Sequence, residues 1–365
     1  MKEPFKVPDT HPDFKINGLH FNNEELAAVA YSYIKEGEPY EGEVGSFLLD
    51  WLNEKDHVYV QTSGSTGKPK KIQLKKEHMV NSALSTGKFF DLPNTTTALL
   101  CLPAEYIAGK MMLVRAMILG WHLDMVPPKA NPLDQVFKRY DFSAMTPFQL
   151  DNSLSRLHLV QKLIVGGGTV SSNLKKLVQG IRTKVYETYG MTETITHVAA
   201  RKVNPKKPKP DPIPFKSLPD ISISTDDRNC LVINAPKVSD TEIVTNDVVE
   251  IISRKKFLWK GRFDNVINSG GVKLYPEEIE LKLADIIAHR FFVGALPDDA
   301  LGEKLILMVE SSFSEEALQQ LEEEIRKQNL LEPYEIPKKI YLVEKFEETP
   351  NGKIHRVNTI KSQMS

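Results

Sequence analysis

Cysteine is nearly missing from this chain: two residues, Cys101 and Cys230, among 365. Neither has metal-ligand spacing around it, and each sits in an apolar run, ALLCLP or CLVINAP. Buried free thiols are therefore expected, not a zinc site or the disulfide framework of a small secreted domain. An excess of one charge is missing too, since 47 Lys and Arg stand against 48 Asp and Glu. A net charge of −1 gives no general pull on nucleic acid or an anionic membrane. No apolar run approaches the roughly 18 residues that cross a bilayer. The opening MKEPFKVPDTHPDF contains no apolar stretch of signal-peptide length. These absences lead us to expect a cytoplasmic protein with no nucleic-acid partner and no membrane insertion.

What remains is an ordinary globular balance, 41% apolar and 26% charged, on a chain long enough for one large domain and a smaller one. Short apolar runs that end in turn residues, at 57–63, 98–103, 122–127 and 162–168, read as strands. Between them, 77–90 and 109–120 have helical length and composition. Alternation of strand and helix predicts an α/β fold with a mostly parallel sheet and a ligand site at its strand ends. Six prolines and six basic residues in 201–219 exclude a regular helix there and predict a surface connection. Short β-type runs at 221–225, 230–236 and 248–253 predict a smaller β-rich subdomain. From about residue 264 a helix starting at Pro276, two strands and a charged helix at 314–328 predict a compact α+β unit. The expected division is 1–263 and 264–365.

Five stretches carry chemistry. The first is Thr62-Ser63-Gly64-Ser65-Thr66-Gly67-Lys68-Pro69-Lys70, after a strand. Its glycines let backbone N–H groups approach a phosphate, and its hydroxyls and lysines add donors and charge. A solvated turn has the same composition. The second, Tyr186-Glu187-Thr188-Tyr189-Gly190-Met191-Thr192-Glu193, places a carboxylate one residue after a hydroxyl. Such a carboxylate can hold Mg²⁺ while the hydroxyl meets a phosphate; equally, Thr192 could simply cap a helix. The third is Asp247 in Thr245-Asn246-Asp247, able to accept both hydroxyls of a ribose or to serve a turn. The fourth runs from Lys260 to Glu280, with Gly270-Gly271 before a Pro276 helix start. The last is Thr349-Pro350-Asn351-Gly352-Lys353, a hairpin-turn signal that presents a lysine. Taken singly, that lysine reads as surface charge.

In this order, from residue 61 to 356, the five stretches resemble the signature of the acyl-CoA synthetase, adenylation-domain and luciferase superfamily. The resemblance implies ATP, Mg²⁺ and CoA, with a small carboxylic acid as partner. It makes Thr62, Ser63, Gly64, Ser65, Thr66, Gly67 and Lys70 a phosphate loop, and Gly166-Gly167-Gly168 a turn beside adenine and acyl group. Tyr189 and Gly190 would border adenine, Thr192 would meet phosphate, and Glu193 would hold the metal. Asp247 and Arg262 would grip the ribose, Asp264 would be the hinge, and Lys353 would stabilise the adenylation transition state. Within that superfamily, Ser269-Gly270-Gly271 and YIAGKMMLVRA resemble short bacterial o-succinylbenzoate–CoA ligases of menaquinone synthesis. A second carboxylate on such an acid needs its own cation or donors; Lys110, Arg115, Thr196 and His197 are the candidates, with Gly270 and Gly271 lining the thiol path.

The sequence departs from the superfamily pattern in being short, which implies a reduced N-terminal subdomain; in TND for TGD; and in lacking a histidine in Leu102–Lys110. Three alternatives stay open: a ligase for another acid, an adenylation domain that loads a carrier protein, and a nucleotide-binding regulator without catalysis. The oligomeric state stays open as well, a homodimer included.

Overall fold

The computed structural model describes residues 5–62, 70–206, 212–311, 315–348 and 354–364. Twelve strands form one sheet. Its first half, Lys15–Ile16, His122–Met125, Thr97–Leu100, Tyr140–Met145, Val160–Val165 and Lys184–Gly190, is parallel throughout. Alternation within these strands feeds two apolar layers. Ala98 and Leu100 enter one core with Phe142 and Ile164, while Leu99 enters another with Leu163 and Val165. Burial on both faces explains why ALLCLP and KLIVGGG read as continuous apolar runs.

Helices Lys76–Phe90 and Ile107–Leu119 lie close to the expected spans. Lys76–Phe90 ends at Asp91 in the left-handed region, and the Lys162 ammonium bonds the carbonyls of Phe90 and Asp91 at 2.7 and 2.9 Å. Carbonyls left open by the helix end are thereby satisfied. Both cysteines are buried and free, and burial pushes the Cys101 thiol up to about 12.

One expectation needs correction. His57–Thr62 does not join the large sheet; it pairs antiparallel with Lys70–Lys75 in a separate hairpin. The β-rich region adds antiparallel strands to the edge of the large sheet. Cys230–Asn234, Ser222–Thr225 and Ile243–Ser253 extend the large sheet through His197–Lys202, Phe215–Ser217 and Lys256–Arg262, all antiparallel. The apolar pattern of a short strand marks its buried face but not the sheet it joins.

The smaller unit has a five-stranded sheet: Ile267–Ser269, Val272–Leu274, Gly302–Glu310, Phe291–Asp298 and Lys339–Val343. Helices Pro276–Leu283 and Glu315–Lys327 cover one face through Ile279, Leu283, Leu321 and Ile325. Ile360 of helix Arg356–Met364 packs on the other, beside Phe292 and Phe346. Lys260–Glu278 at 3.0 Å and Lys176–Asp285 at 2.8 Å join the two sheets' units. Among the described residues, no helix is long and apolar enough to cross a membrane.

Candidate functional site

Parallel strands Tyr140–Met145, Val160–Val165 and Lys184–Gly190 end at the same edge, where Met145, Val165 and Glu187 are successive register partners. Gly166-Gly167-Gly168 follows the second strand directly, with Gly167 at φ +78°. The Thr188 hydroxyl donates to Val165 O at 3.0 Å and binds the turn to the third strand. Tyr189, Gly190, Thr192 and Glu193 therefore stand at this carboxyl edge, where open α/β sheets take ligands.

Asp247 reaches the same place from the antiparallel half. It lies inside the strand Ile243–Ser253, opposite Arg262, and not at a strand entrance. The Tyr189 hydroxyl donates to its Oδ2 at 2.7 Å, and the Trp259 indole donates to Oδ1 at 3.1 Å. Arg262 Nη1 lies 3.7 Å from Oδ1. A carboxylate offers about four acceptor positions, so two remain for hydroxyls. Burial first, then the charge of Asp247, raises the Tyr189 phenol far above its usual range, so it stays a donor. Phe257 meets the Tyr189 ring edge-on at 5.2 Å and fixes it.

Thr192 opens a short 3-10 turn, Thr192–Thr194, and does not cap a helix. Glu193 is exposed, and no hydrogen bond or ion pair among the described residues engages it. No cluster of three metal-ligating side chains surrounds it among those residues. A lone free carboxylate fits Mg²⁺, which takes one or two carboxylates together with substrate phosphates and waters.

Beyond Gly190 the chain turns back, and Gly190 becomes the register partner of His197. A Cβ on Gly190 would stand 2.3 Å from Thr196 O, so only glycine allows this approach. Here Arg115 of helix Ile107–Leu119 is 1% exposed. Its Nη2 donates to the Thr196 hydroxyl at 3.4 Å, its Nη1 lies 3.8 Å from Met112 Sδ, and its Nε has no partner. No carboxylate pairs with it among the described residues. Burial lowers the guanidinium to about 9, which leaves it charged at neutral pH. Burial and the nearby Arg115 charge hold His197 well below its ordinary value, so the imidazole is neutral there. Its Nε2 lies 3.3 Å from the Thr86 hydroxyl. A buried cation without a counter-ion is strongly unfavourable unless something anionic arrives.

Lys110, expected with Arg115, is held elsewhere: its ammonium donates to Ala104 O at 2.5 Å and lies over the Phe47 ring. Gly270 and Gly271, at φ +58° and +82°, form the turn of the hairpin Ile267–Leu274 in the smaller unit. Asp264 sits exposed in the 3-10 turn Phe263–Asn265 between the units. Thr62 and Lys70 are register partners at the end of their hairpin. Ser63, Gly64, Ser65, Thr66, Gly67 and Lys353 lie outside the described residues. Trp259 and Thr86 take part in these contacts, although their sequence context did not single them out. Trp259 carried one weak signal, a polar-tipped aromatic three residues before Arg262.

A family model for AMP-binding enzymes matches residues 24–221. The chain is 26% identical over 377 residues to a 2-succinylbenzoate–CoA ligase of Listeria monocytogenes, covering 94% of this chain and 77% of the relative. A ligase of the same description from Staphylococcus epidermidis is 26% identical over 331 residues, covering 83% and 69%. Among solved structures, an acyl-CoA synthetase (AMP-forming)/AMP-acid ligase II-like protein from Dyadobacter fermentans is 37% identical. The match covers 89% of this chain and 95% of that one, with a TM-score of 0.60. An o-succinylbenzoate coenzyme A synthetase from Bacillus subtilis, solved with an acyl-adenylate intermediate, shares the fold at a TM-score of 0.74 and 16% identity, over 96% and 95% of the chains.

Proposed function

The chain belongs to the AMP-binding enzymes, which form acyl-adenylates, and on that premise we propose that it joins o-succinylbenzoate to CoA at the expense of ATP. The carrying observation is Arg115, a buried guanidinium with no carboxylate partner among the described residues, beside Thr196 and the neutral His197. A substrate with a second carboxylate supplies the missing anion there. The 26%-identical relatives from two bacteria are ligases of this acid, which supports the same reading.

In this reading, one carboxylate oxygen of the acid attacks the α-phosphorus of ATP. A C–O–P link forms as the bond to the β-phosphate oxygen breaks, and pyrophosphate leaves. Asp247 accepts the ribose hydroxyls on its two remaining acceptor positions, with Arg262 beside it. Glu193 would hold Mg²⁺, which supplies charge neutralisation for the phosphates. Thr192, Lys353 and the stretch from Thr62 to Lys70, with Gly166 to Gly168 and Gly190 at its border, would bind phosphates and adenine. Two anions meet in this step, so cationic groups contribute where charge accumulates. The CoA thiolate then attacks the acyl carbon and AMP leaves. Residues 264–365 would turn as a unit about Asp264 between the steps and bring Gly270-Gly271 to the thiol path, a hinge motion of the known kind.

Pyrophosphate release from Mg·ATP across a panel of carboxylic acids, with and without CoA, tests this. Turnover with o-succinylbenzoate that yields its CoA thioester is the expected result. Release with other acids only would move the substrate, and acyl transfer to a carrier protein but not to CoA would move the acceptor. Silence across the panel would overturn the ligase reading.

A further inference from the structure

Between the strands Lys184–Gly190 and His197–Lys202, the loop 191–196 contains a backbone conformation that an isoleucine rarely adopts. Ile195 has φ +65° and ψ −59°, and Thr196 N donates to Thr194 O at 2.7 Å across it. This is the γ-turn with positive φ, rare and strained in general, and more so for a β-branched side chain. Ile195 is 1% exposed, so the strain is held inside the core and not at a loose surface tip.

One side chain closes the turn. The buried Thr194 hydroxyl accepts from Met191 N at 3.0 Å and lies 2.7 Å from Thr196 O and 2.9 Å from Met191 O. Its single proton serves those two carbonyls, and it thereby ties the start of the loop to its end. The half-buried Thr192 and exposed Glu193 stand on one limb. On the other stand Thr196, bonded to Arg115, and the buried His197. Strain of this kind persists only where surrounding contacts over-determine it, and such positions gather at functional sites.

We propose that Thr194 is a positioning residue: its hydroxyl sets the separation between the limb facing phosphate and metal and the limb facing the acid. The inference rests on the functional reading above and adds to it a residue that contacts neither substrate. Loss of the hydroxyl lets both limbs shift together, and misplacement by about 1 Å lowers rates on the order of 100-fold.

The test is steady-state pyrophosphate release by the full chain for wild type, Thr194→Val and Thr194→Ser, with ATP and acid each varied. Thr194→Val keeps the branched shape without the hydroxyl and is expected to lower kcat/KM roughly 10- to 100-fold, with KM raised for both substrates. Thr194→Ser restores most of the loss. A fall in kcat alone, with both KM values unchanged, means a smaller folded fraction and overturns the proposal, as does Thr194→Ser performing as poorly as Thr194→Val. Should Thr194→Val not fold, Thr194→Ala removes the same hydroxyl with less bulk. Failure of both to fold, with Thr194→Ser folded, assigns the hydroxyl to stability and also overturns it. A wild type silent with every acid overturns the functional reading and this proposal with it, whereas an active wild type matched by Thr194→Val overturns this proposal alone.

Discussion

Asn246 Nδ2 donates to Asp264 Oδ2 at 3.3 Å, while Asn246 Oδ1 accepts from Arg228 Nη1 at 3.0 Å. Asn246 therefore links the large sheet to the residue proposed as the pivot. In the sequence it stood out only as the residue where glycine is usual, and glycine has no side chain to make this link. Asn246→Gly is expected to alter the thioester half-reaction about two- to fivefold and leave adenylate formation unchanged. The effect is modest because one hydrogen bond to an exposed carboxylate contributes little net free energy. Equal changes in both half-reactions, measured separately from ATP and from preformed acyl-adenylate, would sink the tether.

Arg115→Leu removes a buried charge that has no counter-ion among the described residues and keeps comparable apolar bulk. Replacement of buried charges by apolar residues is often neutral or stabilising. The variant is therefore expected to melt no lower than wild type, while kcat/KM for a dicarboxylate acid falls on the order of 100-fold, as for loss of a charged partner. Monocarboxylate analogues of the acid should not share that fall. A variant that discriminates between the two acids as wild type does would remove Arg115 from the acyl site.

His197 gives a pH signature whose sign is fixed by burial. The folded chain holds its imidazole well below the ordinary value, because of burial and then Arg115. Below about pH 6.5 the unfolded chain gains a proton that the folded chain refuses. Stability from this group is thus present above that pH and lost on acidification, by up to about 1.4 kcal/mol per pH unit. His197→Gln should lose less melting temperature between pH 7 and pH 5 than wild type does. Parallel losses would show that the imidazole protonates in place, against Arg115, Thr86 and Phe90, which face it.

Motif order singled out Tyr189, Glu193, Asp247 and Arg262, the residues proposed for the nucleotide, because they belong to short local signatures. What joins them did not show. Tyr189 and Asp247 are 58 positions apart, and Thr86 and His197 are 111 apart; no local pattern encodes such pairings. Lys110, named beside Arg115 as a candidate for the second carboxylate, stands apart from it. Five residues along a helix turn the side chain about 140° from that of Arg115, so the two cannot share a face. Thr97–Leu100 and Val160–Val165 of the parallel half were readable because double-sided burial leaves continuous apolar runs, whereas Lys15–Ile16 and Tyr140–Met145 were not read as strands. In the antiparallel half, strands as short as Phe215–Ser217 leave almost no pattern, and their pairing is settled by the sheet they complete.

Lys353 lies outside the described residues, yet the chain on either side of that stretch is fixed. Glu348 and Ile354 pair antiparallel, and Arg356 Nη1 lies 2.7 Å from Glu280 Oε1 of the helix Pro276–Leu283. Glu348 and the chain from Ile354 onward are thus fastened to the smaller unit. If Lys353 stabilises charge only while pyrophosphate leaves, Lys353→Ala should lower adenylate formation by about 10²–10³, as for loss of a preorganised donor. Thioester formation from synthetic acyl-adenylate should be spared if, as proposed, the smaller unit turns and withdraws Lys353 before that step. Single-turnover assays of the two halves decide it. Equal loss in both would mean that Lys353 serves the fold or both steps, and would remove the basis for assigning the two reactions to two orientations of one unit.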